Sequence, residues 1–336
     1  MSKLVSVIIT TCNGTKKLVR AVESILNQTY KNIETLVVDD NGKNTLKQIE
    51  TERLLSDYIE NGQIKYVVHD VNRNGAVARN TGVRNSQGEY LAFLDDDDFY
   101  LPKRIEKMVQ VVEEEKADMA YSDILFVRNS DIVNIMKVND KGFSYQDLLE
   151  NQSLLGTGSN IFVKKDIYLK VNGFDESFFR YQDVEFMIRA LHFGTIRGVN
   201  ECLVAKDITD VRFYPKYEKF CAAQKMFFEK FAKDISKLES TKKRTAIYAK
   251  RTELYYSACL SGDENNINDA YVLLEKEVPN LSGIELLKIK LRGFYMHYLY
   301  NAFAPVRKIK QSAKSRTIIH SCTMNFMVEF QKAVEV

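Results

Sequence analysis

Strand-like and helix-like segments alternate through the first hundred residues, and this alternation limits the fold more than any other feature of the chain. Short runs rich in β-branched and apolar residues are the predicted strands, at Val5–Thr11, Glu34–Asp40, Ile64–His69 and Tyr90–Leu94. Between them, apolar residues recur at helical spacing, as at Leu18, Val22 and Ile25. Strands that alternate with helices predict an α/β fold with a mostly parallel sheet.

The pattern changes twice further along the chain. After Pro102 the alternation becomes irregular, and the pattern there predicts strands at Met119–Val127, Val133–Val138 and Ser159–Val163 and a helix near Tyr145–Glu150. From about Tyr217 onward only helical patterns remain, with polar breaks at Ser261–Asn268 and Pro279–Gly283. We therefore predict one α/β domain at 1–215 and a helical region at 216–336. Within the domain, 1–100 has the pattern of a nucleotide-binding half, and 101–215 is a second half built onto the same sheet.

The composition disfavours several classes of protein. The 5 cysteines are scattered, without a Cys-x-x-Cys pair or a Cys/His cluster. They predict neither a disulfide framework nor a zinc site, and they favour a reducing cytoplasm. The first residues lack the apolar stretch of a signal peptide, and nowhere do about 18 apolar residues follow one another. We expect a cytoplasmic protein without a membrane span.

Four consecutive carboxylates, Asp95–Asp98, follow the apolar strand Tyr90–Leu94. Ligands of open α/β sheets bind beyond the carboxyl ends of the strands, where this cluster is expected to lie. Adjacent carboxylates repel one another and need a counter-charge, which a hard divalent cation such as Mg²⁺ or Mn²⁺ supplies. A solvated acidic turn is the alternative, but the buried strand that leads into the cluster favours the metal.

A second strand, Glu34–Asp40, also ends in acidic side chains, Asp39 and Asp40. A carboxylate there can accept hydrogen bonds from a ribose hydroxyl or from the ring N–H of a uracil. Asp40, Asn41 and Gly42 are also good turn formers, so a simple turn explains the pair equally well.

The segment Asn72–Gly82 predicts a helix that starts at Gly75 and carries Arg79 one turn later. A glycine lets a helix begin close to a ligand, and the guanidinium can meet a phosphate or a base. In isolation, a surface arginine on an ordinary helix is the more common outcome for such a segment.

Asp183 stands at the start of an amphipathic helix predicted at Val184–Phe193. A carboxylate in a partly closed cleft can act as the general base that deprotonates a sugar hydroxyl. Asp is also a preferred N-cap, so Asp183 can simply cap this helix, and the two roles are compatible.

In this order, the motifs resemble those of the family 2 glycosyltransferases of the GT-A fold, from Val5 to about Tyr214. The segments that carry the resemblance are Val5–Asn13, Ile25–Tyr30, Val37–Asp40, Gly75–Gly82, Asp95–Asp98, Asn172–Glu176 and Gln182–Asp183. The resemblance implies a GT-A catalytic domain, with a Rossmann-like nucleotide-binding half, a mixed sheet and an acceptor half, ahead of the helical region. It implies an inverting, metal-dependent transfer of one sugar from a nucleotide sugar, expected to be a UDP-sugar. The implied acceptor is a saccharide of a bacterial surface glycan, linked to a lipid or to a protein.

The resemblance also assigns roles to residues on the donor side. Thr10 and Asp39 would contact the base, with Asp39 facing the uracil ring. Asp40 would belong to the donor site, and Arg79 would lie beside the nucleotide.

Further roles fall on the acidic cluster and on the later helix. Asp95, Asp96 and Asp97 would form the DxD-type site, with Asp97 as the Mn²⁺ or Mg²⁺ ligand and its neighbours holding ribose or metal-bound water. Asp183 would be the base that deprotonates the acceptor hydroxyl, which then attacks the anomeric carbon from the face opposite the nucleotide.

Several positions depart from the family pattern. Cys12 stands where Tyr is usual, and Gln182 stands where Glu is usual. The late histidine that assists the metal in some relatives has no clear counterpart after Gly198, which leaves Asp207 or Asp210 as candidates for that role. The chain has no Trp, and so it lacks the Gln-x-x-Arg-Trp motif of processive members, which indicates one sugar per encounter.

The C-terminal region is the basic part of the chain. Between Lys288 and Arg316 there are 8 Lys and Arg and no acid, interleaved with aromatic residues. A basic amphipathic segment at 284–316 fits an anionic membrane surface, and packing on the catalytic domain or on a second subunit of a homo-oligomer fits it equally well. Nucleic acid is the least favoured partner because no nucleic-acid motif accompanies the patch.

Two other functions compete with transfer. A sugar-nucleotide binding module without catalysis is the alternative, and the presence of Asp97 and Asp183 argues against it. A nicotinamide oxidoreductase needs a Gly-x-Gly-x-x-Gly turn after the first strand, and Thr10–Gly14 does not supply one.

Overall fold

The computed structural model describes residues 2–13, 16–209 and 217–299. These residues form two compact units. The first unit holds residues 2–145 and 153–209, and the second holds residues 146–152 and 217–299.

A mixed sheet of nine strands, counted over the described residues, forms the centre of the first unit. Its strands are β1 Val5–Thr11, β2 Ile33–Asp39, β3 Lys65–Val68, β4 Tyr90–Asp95, β5 Phe99–Tyr100, β6 Met119–Arg128, β7 Asp131–Met136, β8 Phe162–Lys164 and β9 Ile196–Asp207. The order across the sheet is β3-β2-β1-β4-β8-β6-β9-β5, and β7 pairs with β6. The first four strands are parallel, whereas β8 runs antiparallel to β4.

Helices follow the strands along the chain of the first unit. They are α1 Lys16–Leu26, α2 Leu46–Glu60, α3 Gly75–Arg84, α4 Arg104–Glu114, α6 Lys165–Lys170 and α7 Gln182–Ala190, with α5 Tyr145–Glu150 at the boundary between the units. The inner strands are continuous apolar runs, as in Val5–Thr11, because both faces of a parallel sheet are buried. The core therefore lies along β1, β2 and β4, and their ends form a rigid edge.

Helix α3 packs very closely on β1. A Cβ added at Gly82 would lie 2.3 Å from Ile8 Cγ2, a distance that no real side chain tolerates. The glycine therefore lets α3 lie directly against the strand, which fixes the height of Arg79 above the sheet edge.

Most predicted elements of the first unit are confirmed, and β1 and α5 match at both ends. The predicted strand at Ser159–Val163 is wrong in its first half, where Gly158–Asn160 forms a 3₁₀ turn and β8 begins only at Phe162. The side chain of Asn160 donates to Ser122 O at 2.9 Å, a local bond that competes with strand pairing. Strand β9 was not predicted, because exposed polar residues interrupt its apolar pattern.

The second unit is helical, as its sequence predicts. It contains α8 Tyr217–Lys230, α9 Ala232–Ser236, α10 Ser240–Ser261, α11 Glu264–Glu277 and α12 Gly283–Phe294. The polar breaks in the pattern correspond to helix ends, where Gly262 adopts φ 75° after α10 and Ser282 forms a capping box with Glu285 before α12. Arg251 joins α10 to α11 by a bond to Glu277 at 2.7 Å.

The basic aromatic segment predicted at 284–316 begins on α12, and its residues from 300 onward lie outside the described residues. On α12, Leu287, Leu291 and Phe294 share one face and are all more than half exposed. In the described part of the chain, no helix combines the length and the apolar character needed to cross a bilayer.

Candidate active site

Three strand ends meet at one edge of the sheet. β1 lies between β2 and β4, and all three run parallel, so their carboxyl ends point the same way. In this register Thr10 lies beside Asp95, and Thr11 lies beside Asp39. Residues from three distant parts of the sequence therefore share the edge at which open α/β sheets bind ligands.

Asp39 is completely buried at the end of β2. Its carboxylate accepts hydrogen bonds from Tyr66 Oη at 2.5 Å and from Asn41 N at 2.8 Å. Burial raises the pKa of the Asp39 carboxyl because the ionised group loses its hydration, and the two hydrogen bonds offset part of this rise. Each oxygen keeps acceptor capacity beyond the single bond that it receives.

Asp40 is buried and binds mainly to its own protein. Its Oδ1 lies 2.7 Å from His69 Nδ1 and accepts from Arg73 N at 2.8 Å, and its Oδ2 accepts from Asn74 N at 3.0 Å. The side chain of Asn72 adds a further bond at 3.1 Å. Since these contacts use most of its acceptor capacity, the effect of Asp40 is to fix the segment that leads into α3.

Arg79 joins three of the predicted motifs. Its guanidinium donates to Asp95 Oδ1 at 2.6 Å and to Gln182 Oε1 at 2.9 Å, and it lies 5.5 Å from the centre of the Phe174 ring. The side chain is nearly buried. The fork geometry of arginine suits two directed bonds, so Arg79 ties the end of β4 to the start of α7.

The first two carboxyls of the acidic cluster have different surroundings. Asp95 is partly exposed and pairs with Arg79. Asp96 accepts from Thr11 Oγ1 at 2.5 Å. Burial raises the pKa of Asp96 to about 7, and the nearby charges of Asp97 and Asp95 add to the rise. Asp95 and Asp96 therefore each have a polar partner of their own, Arg79 and Thr11.

The last two carboxyls of the cluster are more deeply placed. Burial raises the pKa of Asp97, repulsion from Asp95 adds to the rise, and Lys206 opposes it. Asp98 is fully buried and accepts from Ser159 Oγ at 2.6 Å and from the Asp207 backbone N at 3.1 Å. Burial raises the pKa of Asp98 to about 8. Asp98 thus braces the turn at 158–160 and the end of β9.

Asp183 lies in the first turn of α7. The helix starts at Gln182 with Tyr181 as its N-cap residue, so the prediction that Asp183 itself caps the helix is wrong. Tyr181 adopts the left-handed conformation with φ 61°, which is costly for an aromatic residue. Asp183 Oδ1 accepts from Val184 N at 2.9 Å.

A cavity of about 150 Å³ brings these motifs together. Its wall consists of Arg79, Asp95, Thr157, Gly158, Phe179, Arg180, Tyr181, Gln182, Asp183 and Lys206. Gly158 lies between the arginine and the aspartate, because an added Cβ there would lie 3.5 Å from Arg79 Nη2 and 3.6 Å from Asp183 Cβ. Asp97 is not part of this wall, although its neighbours Asp95 and Lys206 are.

The late acidic residues do not form a metal cluster with the others. Asp207 is ion-paired with Arg20 at 2.9 Å and with Lys17 at 3.3 Å. Burial favours a higher pKa for Asp207, but bonds from Thr209 and Arg20 outweigh it and lower the pKa. Asp210 lies outside the described residues. Within the described ranges, no group of three or more His, Cys, Asp or Glu side chains is arranged to hold a metal ion.

Sequence reasoning missed several residues of the cavity wall. Lys206 was missed because β9 has an irregular pattern, and Gly158 because its turn was interpreted as part of a strand. For Phe179, which is 47% exposed in the cavity wall, the signal in the sequence was its position four residues before the candidate base Asp183.

The chain matches the model of a known protein family. The model of Glycosyl transferase family 2 matches residues 6–171. An uncharacterized glycosyltransferase of Haemophilus influenzae is 28% identical over 199 residues, which cover 56% of this chain and 62% of that protein. The amylovoran biosynthesis glycosyltransferase AmsB of Erwinia amylovora is 26% identical over 199 residues, with 56% and 64% covered. The chain thus spans somewhat under two thirds of these relatives.

Comparison with solved structures identifies the fold. Residues 1–349 of TarS from S. aureus, in complex with UDP-GlcNAc, superpose with a TM-score of 0.54 at 14% identity, covering 81% of this chain and 91% of that chain. The mannosyltransferase PcManGT from Pyrobaculum calidifontis, in complex with GDP-Man and Mn²⁺, gives a TM-score of 0.54 at 16% identity, with 94% and 87% covered. The GT-A fold expected from the sequence is confirmed.

Proposed function

The chain belongs to Glycosyl transferase family 2, and from that premise we propose that it is an inverting, metal-dependent transferase that moves one sugar from a UDP-sugar to a saccharide hydroxyl. The observation that carries the proposal is the single cavity shared by Arg79, Asp95 and Asp183. Such a transfer needs a cation that binds phosphate, a carboxylate of the metal site and a general base in one place.

The donor would lie along the edge formed by β1, β2 and β4. Thr10 and Asp39 are the proposed contacts of the base, and Arg79, Asp95 and Asp96 those of the ribose and the diphosphate. Asp40 would act indirectly, through the loop that it holds. TarS in complex with UDP-GlcNAc supports a uridine nucleotide, and at 14% identity this support comes from the fold alone.

The residues present fit a Mn²⁺ or Mg²⁺ ion. Such ions are commonly held by one or two carboxylates together with substrate phosphates, so a cluster of three protein ligands is not required. Asp97 would hold the ion, with its neighbours in the cluster holding metal-bound water, and burial of Asp97 makes a nearby cation favourable because the cation stabilises the ionised carboxylate. When bound, the ion would neutralise charge on the departing diphosphate.

Asp183 is the proposed general base. It shares the cavity with Arg79, and Gly158 leaves room between the two side chains. An acceptor hydroxyl hydrogen-bonded to Asp183 would lose its proton as it attacks the anomeric carbon from the side opposite the diphosphate, which inverts that centre. Phe179 and Tyr181 provide aromatic surface on the acceptor side of the cavity.

We assign catalysis to the domain at 1–215 and an accessory role to the helical region at 216–336. The acceptor would be a lipid-linked or protein-linked saccharide in the synthesis of a bacterial surface glycan. The amylovoran biosynthesis relative supports polysaccharide synthesis as the setting.

The test is a donor hydrolysis screen with purified protein, a panel of nucleotide sugars and Mn²⁺, because water can replace the acceptor at a low rate. Asp183→Asn should lower the hydrolysis rate by at least about 100-fold, the typical contribution of a general base. It should leave UDP affinity within about threefold. The control is Asp166→Asn, which removes an exposed carboxylate on α6 and should change neither quantity.

Three outcomes separate the alternatives. Full turnover in Asp183→Asn removes Asp183 from the mechanism. UDP binding without hydrolysis of any donor by the wild-type protein favours the inactive sugar-nucleotide binding module. NMR of the first sugar released by the active protein gives its anomeric configuration, and retention would contradict the inverting mechanism.

A further inference from the structure

The acidic cluster has positive charges of the protein beside it. Arg79 pairs directly with Asp95 at 2.6 Å. Lys206 immediately precedes Asp207, whose backbone N donates to the Asp98 carboxylate at 3.1 Å, so Lys206 lies next to the cluster along β9.

Lys206 also lines the cavity that contains Arg79 and Asp183. It is half-buried on β9, and its neighbours Ala205 and Asp207 are buried. Within the described ranges Lys206 forms no direct ion pair. Its charge is therefore available to a ligand in the cavity, whereas the charge of Arg79 is already offset by Asp95.

The backbone around Lys206 is held in place. The backbone N of Asp207 donates to the buried Asp98 carboxylate at 3.1 Å, and the Asp207 carboxylate binds Arg20 at 2.9 Å. These bonds anchor the end of β9 next to the acidic cluster. A lysine on an anchored strand loses less freedom on binding than one on a loop, which favours a fixed ligand contact.

We propose that Lys206 binds the diphosphate of the nucleotide-sugar donor and so makes part of the donor affinity independent of a divalent cation. This inference rests on the proposed function. A diphosphate brings at least two negative charges into a cavity whose wall already contains Asp95 and Asp183, so a positive charge in the same wall that forms no direct ion pair favours its binding. Lysine is a common phosphate ligand, and next to a departing diphosphate it stabilises the charge that develops there.

Calorimetry tests the proposal. UDP, UMP and uridine are titrated into the full-length wild-type protein, Lys206→Gln and Lys206→Arg, each in EDTA and in Mn²⁺. In EDTA, Lys206→Gln should weaken UDP binding about tenfold and leave uridine binding within about twofold, since only the phosphates meet the lysine. Lys206→Arg should keep UDP affinity within about threefold. Lys170→Gln, an exposed lysine on α6, is the matched control.

The outcomes distinguish this inference from the proposed function. Unchanged UDP affinity in Lys206→Gln, or equal losses for UDP and uridine, would overturn the role of Lys206 and leave the transferase proposal standing. UDP binding by the wild-type protein only in Mn²⁺ would do the same. Failure of the wild-type protein to bind UDP, GDP, dTDP or ADP in either buffer would overturn both. Rescue by Lys206→Arg excludes a folding defect as the cause of a loss in Lys206→Gln.

Discussion

Asp40→Asn tests whether Asp40 binds the donor directly or supports the loop before α3. The native carboxylate accepts from Arg73 N and lies against His69 on one oxygen, and accepts from Asn74 N and Asn72 Nδ2 on the other. An asparagine keeps one oxygen and presents an amide NH₂ group to the remaining two donors. Two bonds to a charged acceptor are lost, each contributing about 1.5 kcal/mol or more, so we expect a loss of roughly 3 kcal/mol in the free energy of unfolding.

Thermal unfolding followed by circular dichroism measures this loss. For a chain of 336 residues, whose entropy of unfolding is about 0.7 kcal/mol/K, roughly 3 kcal/mol corresponds to a fall in Tm of about 4 °C. UDP affinity should fall only about threefold, because the donor contacts are held less firmly but none is removed. The control is Asp70→Asn, an exposed neighbour of His69. An unchanged Tm together with a loss of UDP affinity above about tenfold would refute the reasoning and make Asp40 a direct donor ligand.

Two further predictions concern stability. Gly82→Ala should lower the free energy of unfolding, measured by chemical denaturation, by about 1–3 kcal/mol because the added methyl overlaps Ile8. Gly283→Ala is the control and should be neutral or stabilising, since nothing lies within 4 Å of its Cβ. Equal effects of the two substitutions would contradict the packing argument. Bonds from Arg244 and Ser282 lower the pKa of Glu285 to about 2, so its stabilising effect is present above its unfolded pKa and is lost as the pH falls towards 2. The difference in Tm between the wild-type protein and Glu285→Gln should therefore shrink between about pH 5 and pH 2, and a constant difference would exclude this linkage.

The edge formed by the ends of β1, β2 and β4 was predictable from the sequence because each of its residues follows a strong local pattern. Thr10, Asp39 and Asp95 end apolar runs, and parallel strands bring their carboxyl ends to one edge whatever the intervening sequence. The order of the strands then decides which ends are neighbours, and βα units in sequence constrain that order. Periodicity and topology are therefore sufficient to predict which residues lie at this edge.

The cavity wall around Gly158, Tyr181 and Lys206 was not predictable in the same way. Gly158 and Ser159 lie on a turn that side-chain bonds impose, with Ser159 donating to Asp98 over a long sequence separation. Lys206 lies on a strand whose pairing with β6 contains irregularities, so its face could not be derived from alternation. Tyr181 adopts a left-handed conformation that no propensity favours, and it sets the direction in which Asp183 enters the cavity.

The acidic cluster illustrates how a sound sequence argument changes once neighbours are known. Four adjacent carboxylates need counter-charges or hydrogen bonds, but the protein itself supplies these to three of them. Asp95 pairs with Arg79, Asp96 accepts from Thr11, and Asp98 accepts from Ser159 and a backbone N–H. Repulsion within the cluster is thus no longer an argument for a metal at those three. Repulsion remains an argument at Asp97, whose pKa is raised by burial and by Asp95 and is opposed only by the charges of two lysines and by a bond from its own backbone N–H. Substitution of Asp97 should therefore remove Mn²⁺ dependence more completely than substitution of Asp96.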